Sequence, residues 1–283
     1  MQPGKKCYGK GIAMPELPEV ETICRGISPH IEGHSIAQTV IRNHNLRYPI
    51  DQNLANHVEK QKIIKIWRRS KYIILSLETG TIIIHLGMSG TLRIVDKDLP
   101  PNKHDHFDLI FENLILRYQD HRRFGCLIYT NNNPLEHKLL ATLGPEPLTD
   151  QFNGEYLFNI SRKRTKAVKV FIMDNHIVVG AGNIYANEAL FASGIDPRKA
   201  AGTINRKQYD KLAKNIKIIL EKAIAAGGTT ISDYRNSEGK PGYFQQELLV
   251  YGKDGENCQK CNNKITSIKL GQRSTFYCPQ CQK

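Results

Sequence analysis

The sequence predicts an α+β protein: an amino-terminal β-sandwich with flanking helices, then a helical half that ends in a four-cysteine zinc β-hairpin finger. Three observations carry this reading. Eight short strand-like runs follow one another between residues 35 and 129, with tight turns between several of them. Beyond residue 152 the apolar residues recur at helical spacing. The chain then closes on Cys258-x-x-Cys261 and Cys278-x-x-Cys281, two pairs separated by sixteen residues.

Residues 1–13, rich in Gly and Lys with one Cys, show neither helical nor strand periodicity. They read as disordered or as an extension foreign to the working protein. From Glu19 to Gly33, the positions Val20, Ile23, Cys24 and Ile27 repeat at helical spacing, and Pro29 and Gly33 close the run. Pro18 suits the first turn of that helix, and Glu19 and Glu21 sit at the positive end of its dipole. The strand-like runs are Ser35–Ile41, Ile63–Trp67, Tyr72–Leu77, Thr81–Leu86, Thr91–Val95, Phe107–Phe111, Leu114–Tyr118 and Cys126–Tyr129. A short helix after Asp51 or Asn53, through Glu59, interrupts them. Thr79-Gly80 and Glu112-Asn113 read as hairpin turns. Many short strands behind one leading helix point to a β-sandwich or flattened barrel.

Residues 131–152 change character, with Asn131-Asn132-Asn133-Pro134 and Gly144-Pro145-Glu146-Pro147. They read as a linker of rigid, extended proline segments. The chain therefore divides into a sandwich domain at 14–133, a linker at 134–152, a helical domain at 153–242 and a finger region at 243–283. Within the helical domain, Asn183–Ala192 is one helix, starting just after Gly180-Ala181-Gly182. A long one follows Asn205, with Tyr209, Leu212, Ala213, Ile216, Ile219, Leu220, Ala223 and Ile224 on one face, and ends at Gly227-Gly228. Thr229–Gly242 is polar, bears Gly and Pro, and reads as a loop.

The net charge is +13, of which Lys5, Lys6 and Lys10 lie in the first thirteen residues, leaving +10 for the rest of the chain. An excess of this size points to a polyanion, most often nucleic acid, although a merely soluble basic surface carries such charge too. No apolar run approaches the roughly 18 residues of a membrane span. The amino terminus lacks the apolar stretch of a secretory signal. Seven cysteines, four of them in C-x-x-C pairs, fit a metal site in a reducing compartment better than a disulfide framework, so the expected location is the cytoplasm.

Six groups carry chemistry. Met14-Pro15-Glu16-Leu17-Pro18-Glu19-Val20-Glu21 would leave Pro15 with a free secondary amine if the chain began at Met14 and lost it. Such an amine attacks a carbonyl-level carbon to form an iminium, and Glu16 beside it can move the proton. With thirteen residues ahead of Met14, the Pro15 nitrogen is an amide and cannot. Cys258, Cys261, Cys278 and Cys281 match a closed tetrahedral zinc site, with strands Ile265–Leu270 and Ser274–Tyr277 around Gly271-Gln272. Arg273 at that hairpin tip can clamp phosphate oxygens. Lys71 precedes an apolar strand and suits a phosphate or a sugar, or else a solvated basic edge. Met88, in His85-Leu86-Gly87-Met88-Ser89-Gly90, should be an exposed apolar tip able to unstack bases, unless it simply packs. In Asp120-His121-Arg122-Arg123-Phe124-Gly125, Arg122 and Phe124 share a face and could replace an extruded base, although the stretch also reads as an ordinary turn. Gly180-Ala181-Gly182-Asn183 offers helix amino-terminal amides to a phosphate, whereas the basic run Arg162–Lys166 with Lys169 reads as a solvated face.

Together these stretches resemble the formamidopyrimidine-DNA glycosylase family of bacterial base-excision repair enzymes, from Met14 to Lys283. The motifs that carry the resemblance are Met14–Glu21, His85–Gly90, Arg122–Gly125, Gly182-Asn183-Ile184-Tyr185-Ala186, Lys240-Pro241-Gly242-Tyr243-Phe244 and the cysteine finger with Arg273. The resemblance implies a bilobal fold, with a β-sandwich, a helix–two-turn–helix domain and a zinc finger, and DNA in the cleft. It implies one structural zinc ion and, as partner, double-stranded DNA carrying oxidised purines or abasic sites, bound by a monomer. Pro15 would attack C1′ of the damaged nucleotide and Glu16 would assist base departure, followed by β- and δ-elimination. Lys71, Asn183 and Arg273 match phosphate-holding positions; Met88, Arg122 and Phe124 match residues that fill the gap left by the flipped base. His104, Arg123 and Lys169 join them as DNA-binding positions, and residues 229–242 match the region that closes over the lesion.

Two departures stand out. His121 occupies the place of a proline before Arg122, which would loosen that loop at little cost. The other is the thirteen-residue extension. Two further readings stay open: an endonuclease VIII-like enzyme for oxidised pyrimidines, and a DNA-binding protein catalytically blocked at Pro15.

Overall fold

The computed structural model describes residues 15–228 and 247–283. Residues 1–13 and the loop at 229–242, with Lys240–Phe244, lie outside the described residues, so their readings stand as expectations.

Helix α1 (Leu17–Ile31) leads the chain. Its apolar stripe of Val20, Ile23, Cys24, Ile27 and Ile31 is buried, as the spacing predicted. The helix starts two residues earlier than Glu19 and runs through Pro29, with the left-handed Gly33 (φ 82°) after its end. Pro29 lies inside the last turn, where it takes one amide donor away from the Arg25 carbonyl and the helix ends two residues later.

Eight strands follow: β1 (Gln38–Ile41), β2 (Ile63–Arg69), β3 (Tyr72–Leu77), β4 (Thr81–His85), β5 (Gly90–Val95), β6 (Asp105–Ile110), β7 (Ile115–Asp120) and β8 (Cys126–Thr130), with α2 (Leu54–Val58) between the first two. They form two antiparallel four-stranded sheets, ordered β1-β6-β7-β5 and β2-β3-β4-β8. This is the expected sandwich. Both expected hairpin turns are present: the Leu77 amide donates to the Gly80 carbonyl, and the Phe111 amide to that of Leu114.

Alternation explains the core. Ile73, Leu75, Ile82 and Ile84 meet Phe107, Leu109, Leu116 and Tyr118 between the sheets, and α1 closes one end. Each fully buried aliphatic side chain is worth about 1.5–3 kcal/mol. Ile74 and Ile83 point the other way, yet both are fully buried. Their cover is the segment after β8, whose Leu140 and Leu143 pack on that outer face. The stretch expected to be an extended linker is thus a docked strap with a 3-10 turn at Pro134–Glu136. Arg69 holds it by donating to the carbonyls of Leu143 and Gly144 (2.9 and 2.7 Å) and to Glu146 (3.0 Å). Apolar side chains on the outer sheet face offset the cost of ordering it.

The second half packs α3 (Gly154–Ser161), α4 (Val168–Ile172), α5 (Asn183–Ser193) and α6 (Arg206–Ala225) around a separate core that includes Phe152, Phe171, Tyr185, Leu190, Tyr209 and Leu220. The two helices the sequence predicts are there. Asn205 caps α6 in a reciprocal capping box with Gln208, and Gly227 and Gly228 follow it with φ 75° and 84°. Strands β9 (Thr266–Leu270) and β10 (Arg273–Tyr277) form the terminal hairpin about Gly271-Gln272, both left-handed.

Candidate active site

Pro15 and Glu16 sit at the start of α1, buried where the two halves of the molecule meet. The Glu16 amide donates to Glu19 Oε2 (2.9 Å), and the Tyr185 hydroxyl of α5 donates to Glu19 Oε1 (2.8 Å). Glu16 Oε1 accepts the Ile184 amide (3.3 Å) from the first turn of α5. The anion at the amino terminus of α5 is therefore the protein's own carboxylate. The Ile184 amide is thereby used, while Asn183 at the same helix terminus is half-buried. Gly182 allows this approach, because a Cβ there would overlap the Glu16 carboxyl. Gly180 (φ 79°) lies equally close to Leu17, whose Cβ would be 2.6 Å from an added one.

Burial pushes the Glu16 carboxyl up to about 7, with Lys71 and the Ile184 and Tyr185 amides opposing the rise and Glu19 adding to it. Its Oε2 is buried and meets no hydrogen-bond partner among the described residues. A carboxylic acid with one free oxygen, poised near neutrality, has the form of a general acid.

Lys71 follows the β2–β3 turn, where Ser70 is left-handed (φ 56°) and its amide donates to Glu146 (2.7 Å). The lysine is 8% exposed and its charge acts on Glu16, so it belongs to the site and not to a solvated edge. Lys169 also departs from the expected solvated face. It is fully buried, and its Nζ donates to Asn183 Oδ1 (2.6 Å), to the Ser274 carbonyl (2.8 Å) and to Thr275 Oγ1 (2.8 Å). Burial pulls its ammonium down to about 7, while the nearby Glu16 favours the charged form. This one lysine ties the start of α5 to the finger hairpin. Asn183 is half-buried, and Arg273 stays exposed at the hairpin tip.

Two loops abut on the sandwich. Gly87 (φ 64°) packs so closely on the other loop that an added Cβ would stand 2.6 Å from the Gly125 amide. Met88 beside it is half-buried, less exposed than expected. The Arg122 guanidinium stacks 4.7 Å from the centroid of Phe124, which is 44% exposed, so the expected cation–aromatic pair forms. Arg123 is exposed and left-handed (φ 58°). His121 packs its ring 4.3 Å from that of His104, beside the same loop. His85, beneath the first loop, is held down to about 4 by burial and by Lys71 and Arg47; its Nδ1 accepts the Gly87 amide (2.9 Å).

At the other end, Cys258, Cys261, Cys278 and Cys281 bring their Sγ atoms within 4.8 Å of one another. Four converging thiols on two tight turns suit a tetrahedral, coordinatively closed metal. The apolar cluster around them is small, with Phe191, Val250 and Ile265 at its centre.

Comparison with known proteins decides the family. The formamidopyrimidine-DNA glycosylase N-terminal domain matches residues 14–127, the corresponding H2TH domain 143–235, and the zinc finger found in FPG and IleRS 255–283. The chain belongs to the formamidopyrimidine-DNA glycosylase family. Formamidopyrimidine-DNA glycosylases of Pseudomonas putida (strain F1) and Saccharophagus degradans are 55% and 56% identical over 271 residues, which is 95% of this chain and 100% of each relative. Among solved structures, a Lactococcus lactis FPG variant in complex with a Fapy-dG containing DNA superposes with a TM-score of 0.88 at 36% identity, covering 95% of this chain and 100% of that one. The MutM (FPG) protein of Thermus thermophilus gives 0.84 at 34%, covering 95% and 98%.

Within this formamidopyrimidine-DNA glycosylase architecture, Glu16 and Lys71 converge on one site, and Lys169 links Asn183 to the Arg273 hairpin. Met88, Arg122 and Phe124 form a separate cluster on the sandwich. Several residues escaped sequence reasoning. Glu188 is a buried carboxylate of α5 whose oxygens accept the amides of Leu249, Val250 and Tyr251 (2.8–2.9 Å). Asn187 accepts the Phe276 amide (2.8 Å) and so fixes β10 to α5. The available signal was polar residues within Asn183–Ser193, a helix buried nearly all round. Asp120 is the third, fully buried between the two loops.

Proposed function

We propose that this protein removes oxidised purines, 8-oxoguanine and formamidopyrimidines, from double-stranded DNA and then cleaves the abasic strand, acting through the amine of Pro15. The observation that carries the reading is the buried, half-unpartnered Glu16 carboxyl beside Pro15. The protonated carboxyl gives its proton to the departing base as the C1′–base bond breaks and the Pro15 nitrogen bonds to C1′. The nitrogen sheds its own proton, O4′ takes one up as the sugar ring opens, and an iminium is left. That iminium is an electron sink: loss of a C2′ proton expels the 3′ phosphate, and a second elimination expels the 5′ phosphate. Lys71, Asn183 and Arg273, with His104 and Arg123, hold the phosphate backbone, Lys169 serves that contact from within by holding Asn183 and the Arg273 hairpin, and the basic body draws DNA in before recognition. Met88, Arg122 and Phe124 fill the gap left by the extruded nucleotide, a step that costs a few kcal/mol.

A zinc ion held by Cys258, Cys261, Cys278 and Cys281 supplies structure and no chemistry, stapling the hairpin that presents Arg273. Among the described residues no helix is long and apolar enough to cross a membrane. The cytoplasm and a monomeric state complete the reading.

The Pro15 nitrogen is an amide while residues 1–14 are attached. We propose that the active form begins at Pro15; the family match starting at residue 14 supports this. The form that retains the extension binds DNA without catalysis. Incision assays on duplexes containing 8-oxoguanine or thymine glycol test the function. The reading expects the chain beginning at Pro15 to prefer 8-oxoguanine; a preference for thymine glycol would favour the endonuclease VIII-like alternative, and no cleavage of either would contradict both.

A further inference from the structure

We infer that Asp120 is a positioning residue that locks the two gap-filling loops into a single wedge. The inference rests on the reading above, in which Met88, Arg122 and Phe124 enter the space of an extruded nucleotide.

Asp120 closes β7 directly opposite Gly90, the first residue of β5. The loop carrying Met88 ends, and the loop carrying Arg122 and Phe124 begins, on this one rung of one sheet. The Asp120 side chain is fully buried. Its Oδ1 accepts the Ser89 hydroxyl (2.6 Å) from the first loop and the Arg122 amide (3.1 Å) from the second. Its Oδ2 accepts the Gly125 amide (2.9 Å) and the Tyr118 hydroxyl (3.1 Å). Ser89 Oγ in turn accepts the Arg122 amide (3.2 Å), and the Asp120 carbonyl accepts from His106 Nε2 (2.6 Å). A carboxylate offers about four acceptor sites, and here four donors meet it, two from the wedge-bearing second loop, one from the first and one from the core.

The core donor gives the clasp its footing. Tyr118 stacks on Phe107 (4.8 Å between centroids, 9° between planes) inside the sandwich. Its hydroxyl lies against both loops, and an added Cβ on Gly90 would stand 2.7 Å from it, while one on Gly125 would overlap it. Side chains driven into a base stack must resist its tendency to close, and a loop that orders only on insertion loses conformational freedom at that moment. Charge-assisted bonds formed beforehand remove that cost. An amide in place of Asp120 has one acceptor oxygen, and its NH2 would face two of these four donors.

The test compares the chain beginning at Pro15 with its Asp120→Asn and Ser89→Ala variants on two substrates. One is a duplex containing 8-oxoguanine, read as single-turnover base release. The other is a single strand with an abasic site, read as the borohydride-trapped adduct; a single strand has no opposing base and no gap to fill. Asp120→Asn should slow the duplex reaction roughly ten- to a hundredfold and leave single-strand trapping within about twofold. Ser89→Ala, which cuts one tie, should slow the duplex reaction a few fold with the same selectivity. An equal fall on both substrates, or no fall on the duplex, in the folded variants overturns the inference. If Asp120→Asn does not fold, Ser89→Ala decides by the same ratio. Failure of the parent protein to trap on the single strand would instead overturn the Pro15 reading, so the two failures are separable.

Discussion

Gly182 and the carboxyl of Glu16 lie so close that no side chain fits between them. The contact joins the two halves of the chain and sets the acid against the first turn of α5. Gly182→Ala should push Glu16 away from the Ile184 amide. A displacement of about 1 Å at a reacting group costs on the order of a hundredfold in rate. Base release by this variant, measured at saturating enzyme, should fall by that order while duplex binding is kept; unchanged base release would mean that the approach is incidental.

Glu16 predicts the pH dependence. Its carboxyl is raised from 4.5 to about 7 in the folded protein, chiefly by burial. The acid form therefore dominates below about 7, and base release should decline as pH rises through that value. The same shift makes the folded state hold the proton more tightly than the unfolded one. Its contribution to stability is full below 4.5 and is lost as pH climbs through about 7. Glu16→Gln should lose roughly a hundredfold or more in base release and flatten this limb, while still trapping on a preformed abasic site. A pH–rate profile with the limb intact in the Gln variant would reassign the acid.

Lys169→Met tests the tie between α5 and the finger. It leaves Asn183 Oδ1, the Ser274 carbonyl and Thr275 Oγ1 without their shared donor. Of these Thr275 is fully buried, and a buried acceptor left unpaired costs about 1–3 kcal/mol. Urea unfolding should show a loss of that order, with weaker DNA binding as Asn183 and Arg273 lose their common reference. Wild-type stability with wild-type affinity would show the three bonds to be dispensable.

Removal of the metal should act on one end of the molecule. The finger's apolar cluster is too small to hold β9 and β10 without a staple. Chelation, or Cys261→Ser, should weaken duplex binding at least about tenfold through Arg273, and the sandwich should unfold at an unchanged temperature. Elemental analysis of the purified protein should give one zinc per chain; a different metal, or full DNA affinity after chelation, would contradict this.

Much of the fold is legible in the sequence because its elements are locally encoded. The unbroken apolar runs Ile73–Leu75 and Ile82–Ile84 about the Thr79-Gly80 turn mark two strands buried on both faces, and Asn205 with Gln208 marks the start of α6. The short helices α3 and α4 escape, since eight and five residues carry too little periodicity. The strap after β8 misleads for a physical reason: its prolines suggest extension, whereas Leu140 finds a sheet face that only the folded chain creates. In the site, the cysteine finger and the Arg122–Phe124 pair are readable from spacing. Lys169 is not, because a lysine next to a basic run gives no sign of three acceptors drawn from α5 and β10. Nor is the placement of Glu16 on α5, which depends on contact between the two halves.

The chemistry proposed for this protein stands or falls with the Pro15 nitrogen as nucleophile. The most direct measurement is borohydride trapping on an 8-oxoguanine duplex, followed by peptide mapping of the adduct, for two proteins: one beginning at Pro15 and one retaining residues 1–14. A Pro15 nucleophile gives a single DNA adduct on Pro15 of the first protein and none on the second, which should still bind the duplex. An adduct on Lys71 or another lysine, or equal trapping by both proteins, would contradict it.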